Sequence, residues 1–248
     1  ATTVIGHGAR LIVKGKTLPS TGPCPPPQSK VLVVGPRTRP AIHHGEHQPQ
    51  PEFLDPPPDK AWEWDLERLR AMILSGGVDL SRSHLTRVSP LPSPLHAAHY
   101  PLDRLRVLDL AHNHLVDLPS LHALTRLKRV NVSHNCWASL GTSVALCLPD
   151  SVEELDVGSS RGMTASAEDV QVASASLPRL RILRLGRSRA VEANAAWRAW
   201  SDLQHLDLTD AIIMTTLSTS IESENCHWNL PVGLEELILD GCMVGAGS

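Results

Sequence analysis

Pairs of aliphatic residues separated by one position recur along most of the chain. They stand at Leu108-Asp-Leu110, Val130-Asn-Val132, Leu155-Asp-Val157, Leu183-Arg-Leu185, Leu206-Asp-Leu208 and Leu237-Ile-Leu239, with a degenerate first copy at Val78-Asp-Leu80. Alternation at period two marks a short strand with one buried face. The first members of the pairs fall at 78, 108, 130, 155, 183, 206 and 237, a repeat of 22 to 31 residues. A unit that short cannot bury its apolar face alone, so successive units must stack. Upstream, Trp62, Leu66, Leu69 and Ile73 lie at i, i+4, i+7 and i+11 behind Asp59, a good N-cap after three prolines. This spacing predicts a helix over 59–75, ending near Ser75-Gly76-Gly77 and capping the first unit. The Ala-rich stretches Ala165–Ala175 and Ala190–Trp200 are predicted to be helical on the side away from the strands. Residues 1–58 hold more than half of the 20 prolines and read as an extended arm. Within it, Leu11-Ile12-Val13 and Val31-Leu32-Val33-Val34 could pair as edge strands or lie on a neighbour. Such an arm is ordered only when something holds it, and a partner chain is the expected holder.

The full template L-x-x-L-x-L-x-x-N-x-L is present from Leu105 to Leu115 and again, 22 residues later, from Leu127 to Trp137. Over about residues 78–244 the chain resembles the leucine-rich-repeat proteins, in particular the short-repeat class found among phosphatase regulators and axonemal proteins. The resemblance implies an α/β fold: a solenoid of about seven repeats with parallel strands on a concave face and helices or irregular coils on the other. The chain then divides into a Pro-rich basic arm (1–58), an N-terminal capping helix (59–75) and a leucine-rich-repeat domain (76–248). In this family the template Asn hydrogen-bonds the backbone of adjacent coils. Asn113 and Asn135 fill that place, while Ser83, Ser160, Ser188, Ala211 and Cys242 stand at the matching positions.

The resemblance also places the residues between the leucines on the concave face. One column there reads Asp79, Asp109, Asn131, Asp156, Arg184, Asp207 and Ile238. Its neighbour reads Ser81, Ala111, Ser133, Gly158, Gly186, Thr209 and Asp240. The first column offers carboxylates, and the small residues of the second let a partner segment approach the strands. The candidate partner-binding residues are therefore Asp79, Asp109, Asn131, Asp156, Arg184 and Asp207, with Ser133, Gly158 and Gly186. Small side chains would equally relieve crowding on a curved sheet.

Charge sharpens this picture. Arg10, Lys14, Lys16, Lys30, Arg37 and Arg39 give residues 1–45 a net +6 with no acid, while 46–248 carry 17 basic and 26 acidic residues, a net of −9. A basic arm on an acidic body implies two different partner surfaces, with the six basic residues as the arm's anchor. RNA could be touched only through the arm, which has no aromatic residue in 1–45 to stack on bases. Five cysteines, odd in number and without a CxxC pair, read as reduced thiols. Neither a secretory leader nor an apolar run long enough to cross a bilayer is seen, so no membrane partner is expected.

Motifs for chemistry are thin. Gly15-Lys16-Thr17 lacks the earlier glycine of a phosphate-binding loop, since Arg10 stands there, and Pro19 blocks the helix that should follow. His43, His44 and His47 with Glu46 could hold a transition ion only weakly, without rigid support. His112 and His134 fall at equivalent places in successive repeats and should stack as surface neighbours. No nucleophile-elbow, zinc-protease or kinase signature occurs. The expectation is a non-enzymatic scaffold or adaptor without cofactor or metal. Its setting is expected to be a large assembly, with a ciliary or flagellar axoneme and tubulin contact in the cytoplasmic cytoskeleton placed first. An organellar (mitochondrial) ribosome and a protein phosphatase are the alternatives. The apolar edge at Leu237 and Leu239 should be covered by another chain or by a tail of this one.

Overall fold

The computed structural model describes residues 10–13, 30–33, 59–65, 71–72, 77–92, 101–160, 162–215 and 230–246. Seven strands form one parallel sheet: β4 (Val78–Asp79), β6 (Val107–Asp109), β7 (Arg129–Asn131), β8 (Glu154–Asp156), β10 (Ile182–Arg184), β12 (His205–Asp207) and β14 (Glu236–Ile238). Each is the neighbour of the next in that order. Val78, Leu108, Val130, Leu155, Leu183, Leu206 and Leu237 stand in one register line, the line the aliphatic pairs predict. The second members, Leu80 to Leu208, are buried beneath it. Period-two alternation turns both leucines of each pair inward, and stacking makes one continuous apolar column of them.

The ladder continues into the residue after the strand. Leu110, Val132 and Leu185 donate their N–H to Asn131, Asp156 and Asp207 carbonyls at 2.7–2.8 Å. Asn113 fastens two coils at once. Its Oδ1 accepts from the Ser83 and Leu85 N–H groups at 3.0 and 2.9 Å, and its Nδ2 donates to the Leu80 and Leu110 carbonyls at 2.9 and 2.8 Å. Asn135 repeats the arrangement toward Leu115 and Leu110. Where serine replaces the amide, the hydroxyl reaches only its own coil: Ser160 donates to the Val157 carbonyl and Ser188 to that of Leu185. The coils stay in register there because the backbone ladder is unbroken.

Two helix predictions need correction. Residues 61–62 form a strand, β3 (Ala61–Trp62), paired in parallel with β5 (Arg87–Val88). Trp62 and Trp64 are buried while Glu63 and Asp65 are exposed, a period of two that no helix face can produce. The helix therefore does not begin at Asp59; Ala71 and Met72 are helical. Trp64 ties this cap to the first coil by donating Nε1–H to the Ser89 carbonyl at 2.7 Å. In the second case, Ala190–Ala193 is strand β11, followed by a short 3-10 turn at Ala195–Ala199. It belongs to a second parallel sheet with β9 (Thr164–Ala165), β13 (Ile212–Thr215) and β15 (Met243–Ala246). Val191 and Ile213 pair in its register and are buried, so β-branched side chains outweigh the alanines.

Of the Ala-rich stretches, the first does form a helix, α1 (Ala167–Ser176). Ser166 opens it with a capping box to Asp169, and Val170 and Ala173 face the core. Trp197 and Trp200 close the convex side with ring centroids 5.7 Å apart. In the arm, β1 (Arg10–Val13) and β2 (Lys30–Val33) pair in parallel, as their apolar composition allows. β2 lies beside β14, at the far end of the seven-stranded sheet.

Candidate interaction surface

Strand alternation turns the residues between the leucines outward. It places Asp79, Asp109, Asn131, Asp156, Arg184 and Asp207 in one row across six successive strands. Ser133, Gly158 and Gly186 form the adjoining row, one step past the buried second leucines. Of the candidate anchors, Arg10 and Lys30 begin β1 and β2. Lys14, Lys16, Arg37 and Arg39 lie outside the described residues, as do His43, His44, Glu46 and His47.

The acidic row does local work. One side-chain oxygen of Asp79, Asp109, Asp156 and Asp207 accepts the backbone N–H two residues on, at 2.8–3.0 Å. Asn131 does the same toward Ser133 at 3.2 Å and donates Nδ2–H to Asp109 Oδ2 at 3.0 Å. These bonds turn the chain sharply after each strand. They also hold Asp79 below the usual carboxylate range, through the Ser81 backbone and hydroxyl. Asp156 goes the other way. Burial raises its pKa, and the Gly158 N–H and the Arg184 charge only partly offset that. The glycines of the adjoining row are closely approached: a Cβ on Gly186 would stand 3.2 Å from the Thr209 carbonyl oxygen.

Arg184 leaves the acidic pattern and instead meets Glu154 at 2.6 Å, while Arg129 holds the other oxygen of the same carboxylate at 3.1 Å. Glu154 thus bridges three strands, and His205 and Glu236 pair at 2.7 Å two strands further on. This third outward row, Val107, Arg129, Glu154, Ile182, His205 and Glu236, was not singled out from sequence. Its only mark there is its place just before each leucine. Beside it, Glu153, Arg181, Gln204 and Gly233 line a shallow, open and polar depression.

One rim of the sheet carries a residue of left-handed backbone in every coil: Arg82, His112, His134, Ser159, Arg187, Asp210 and Gly241, with φ between 53° and 68°. His112 and His134 stack here as expected, with centroids 3.9 Å apart and planes 11° from parallel. Burial, then the His112 charge, lowers the His134 pKa. Burial pushes the Cys242 thiol to about 11, next to the Asp210, Asp207 and Asp240 charges, and raises that of Cys147 as well. Among the described residues, no group of three or more His, Cys, Asp or Glu side chains is placed to hold a metal ion.

Stacked parallel coils sealed by a leucine column and an asparagine ladder define a leucine-rich-repeat solenoid. Residues 103–143 match the family described as leucine-rich repeats (2 copies). A solved chain in an octameric complex of Latrophilin 3, Unc5D and FLRT2, whose leucine-rich-repeat component is FLRT2, is similar at 20% identity and a TM-score of 0.45. That match covers 67% of this chain and 53% of the solved one, so the protein spans about half of its length. No curated protein sequence matches.

Proposed function

We propose that the protein is a non-enzymatic scaffold that docks a protein partner across the outward face of its seven-stranded sheet. The observation that carries this reading is the face itself. Rows of outward residues are held in fixed register, and the arginine–glutamate–arginine bridge and the row of Asp-centred turns fix the charged side chains before any partner arrives. Such a surface recognises by shape and charge over many residues. The partner-facing groups are Asp79, Asp109, Asn131, Asp156, Arg184 and Asp207; of the small residues beside them, Ser133 and Gly158 are buried against neighbouring coils and Gly186 is half-buried.

The assembly we infer is the ciliary or flagellar axoneme, with the basic arm on the acidic surface of tubulin. Support for this comes from charge segregation, +6 in residues 1–45 against −9 in the rest. Fractionation tests it. The protein should remain with detergent-extracted axonemes and leave at high salt, and removal of residues 1–58 should release it at low salt. Sedimentation with ribosomal particles would refute the axonemal assignment while leaving the scaffold. Charge reversal at Arg184 and Asp109 together should abolish partner retention without unfolding the sheet; unchanged retention would refute the concave site.

A further inference from the structure

We propose that the outer edge of β14 is a strand-accepting surface and that its resident is the chain's own β2, so that the N-terminal arm caps the C-terminal end of the solenoid. Cα atoms of β2 lie within 8 Å of those of β14. Second-neighbour strands in a sheet stand about 9.5 Å apart and stacked sheets about 10 Å, so β2 occupies the nearest-neighbour place. The other side of β14 is taken by β12, which leaves the outer edge as the position of β2. The two strands lie side by side without the paired hydrogen-bond register that joins β14 to β12.

Burial agrees with this placement. Leu237 and Leu234 belong to the last described coil, which no further repeat follows among the described residues. They retain only 1% and 5% exposure, while Leu239 of the same coil stays partly exposed. The chemistry suits the place: Lys-Val-Leu-Val is a short β-prone run, and β1 adds a second parallel strand behind it in the register Arg10↔Lys30 to Val13↔Val33. Both arm strands open on a basic residue, whereas β14 is entered through Glu235 and Glu236. An unpaired strand edge templates association with other chains, and an arm laid against it blocks that.

Hydrogen–deuterium exchange on the full 248-residue chain tests this against two variants, Leu32→Pro and a deletion of residues 1–58. Both variants should exchange the amides of 234–239 faster, by about tenfold or more, while those of 108–110 keep their protection. A synthetic peptide of residues 27–36 should restore the protection of the deletion variant. If the deletion also loses protection at 108–110, Leu32→Pro alone decides. Unchanged exchange at 234–239 in Leu32→Pro would overturn the proposal. So would protection in the unaltered chain that vanishes on dilution, since the occupant would then be a second copy.

Discussion

Replacing Asn113 by alanine removes the amide that joins the first two coils, and the structure sets the size of the loss. The side chain is 4% exposed and makes four bonds of 2.8–3.0 Å, two accepted from backbone N–H groups of the preceding coil and two donated to carbonyls. At about 1 kcal/mol net per bond the loss is about 4 kcal/mol, and more if the stranded N–H groups find no water. Ser188→Ala is the matched control. Its hydroxyl makes one bond of 2.6 Å within its own coil, so about 1 kcal/mol should go. Urea unfolding at 25 °C, followed by circular dichroism, reads both from the shift in midpoint at constant slope. Because each coil contacts only its neighbours, Asn113→Ala should also speed amide exchange at 80–85 and 110–115 before it does so at 183–185. A loss under about 1.5 kcal/mol, or losses equal in the two variants, would refute the view that the amide is a bridge between coils.

Two further outcomes follow from titration. Asp156 has its pKa raised by burial, so the folded state binds its proton more tightly than the unfolded chain, and stability falls as pH rises from the ordinary value of 3.8 through the raised one. Asp156→Asn should therefore raise the melting temperature at pH 7 and lose that advantage at pH 3.5, because Asn131 shows that an amide keeps the same turn; an equal effect at both pH values would contradict it. His134 is lowered instead, so its proton is bound less tightly in the fold, and stability should fall as pH drops below 6.5. NMR should find its imidazole titrating below 6.5, and His112→Asn should move that midpoint upward; no movement would exclude the stacked neighbour as a cause.

The leucine pairs made the solenoid legible because period two within a recurring unit turns both members of each pair to the same side. All seven register positions were readable for that reason. The misread elements are those where period and propensity conflict. Trp62 and Leu66 fit a helical spacing, yet Trp64 is buried too and decides for a strand. Ala190–Ala193 carries helix-forming alanines, but Val191 meets a neighbouring coil that only stacking supplies. On the outward face, the rows of Asp and small residues followed from the repeat, whereas their bonding did not. That Glu154 collects arginines from both neighbouring strands depends on side chains 25 and 30 residues away. A single repeat does not show which of its polar residues turn back to their own backbone.

The left-handed rim has a consequence for how much change the molecule can absorb. Six of its seven positions hold residues other than glycine, and all of these but Asp210 forgo about 1 kcal/mol each relative to a residue at ease with that twist. Together that is comparable to the whole folding free energy of an ordinary domain, about 5–15 kcal/mol. Asparagine introduced along this one line would raise thermal tolerance without touching a leucine. The line is thus a reserve on which new surface chemistry could be written while the spine beneath stays fixed.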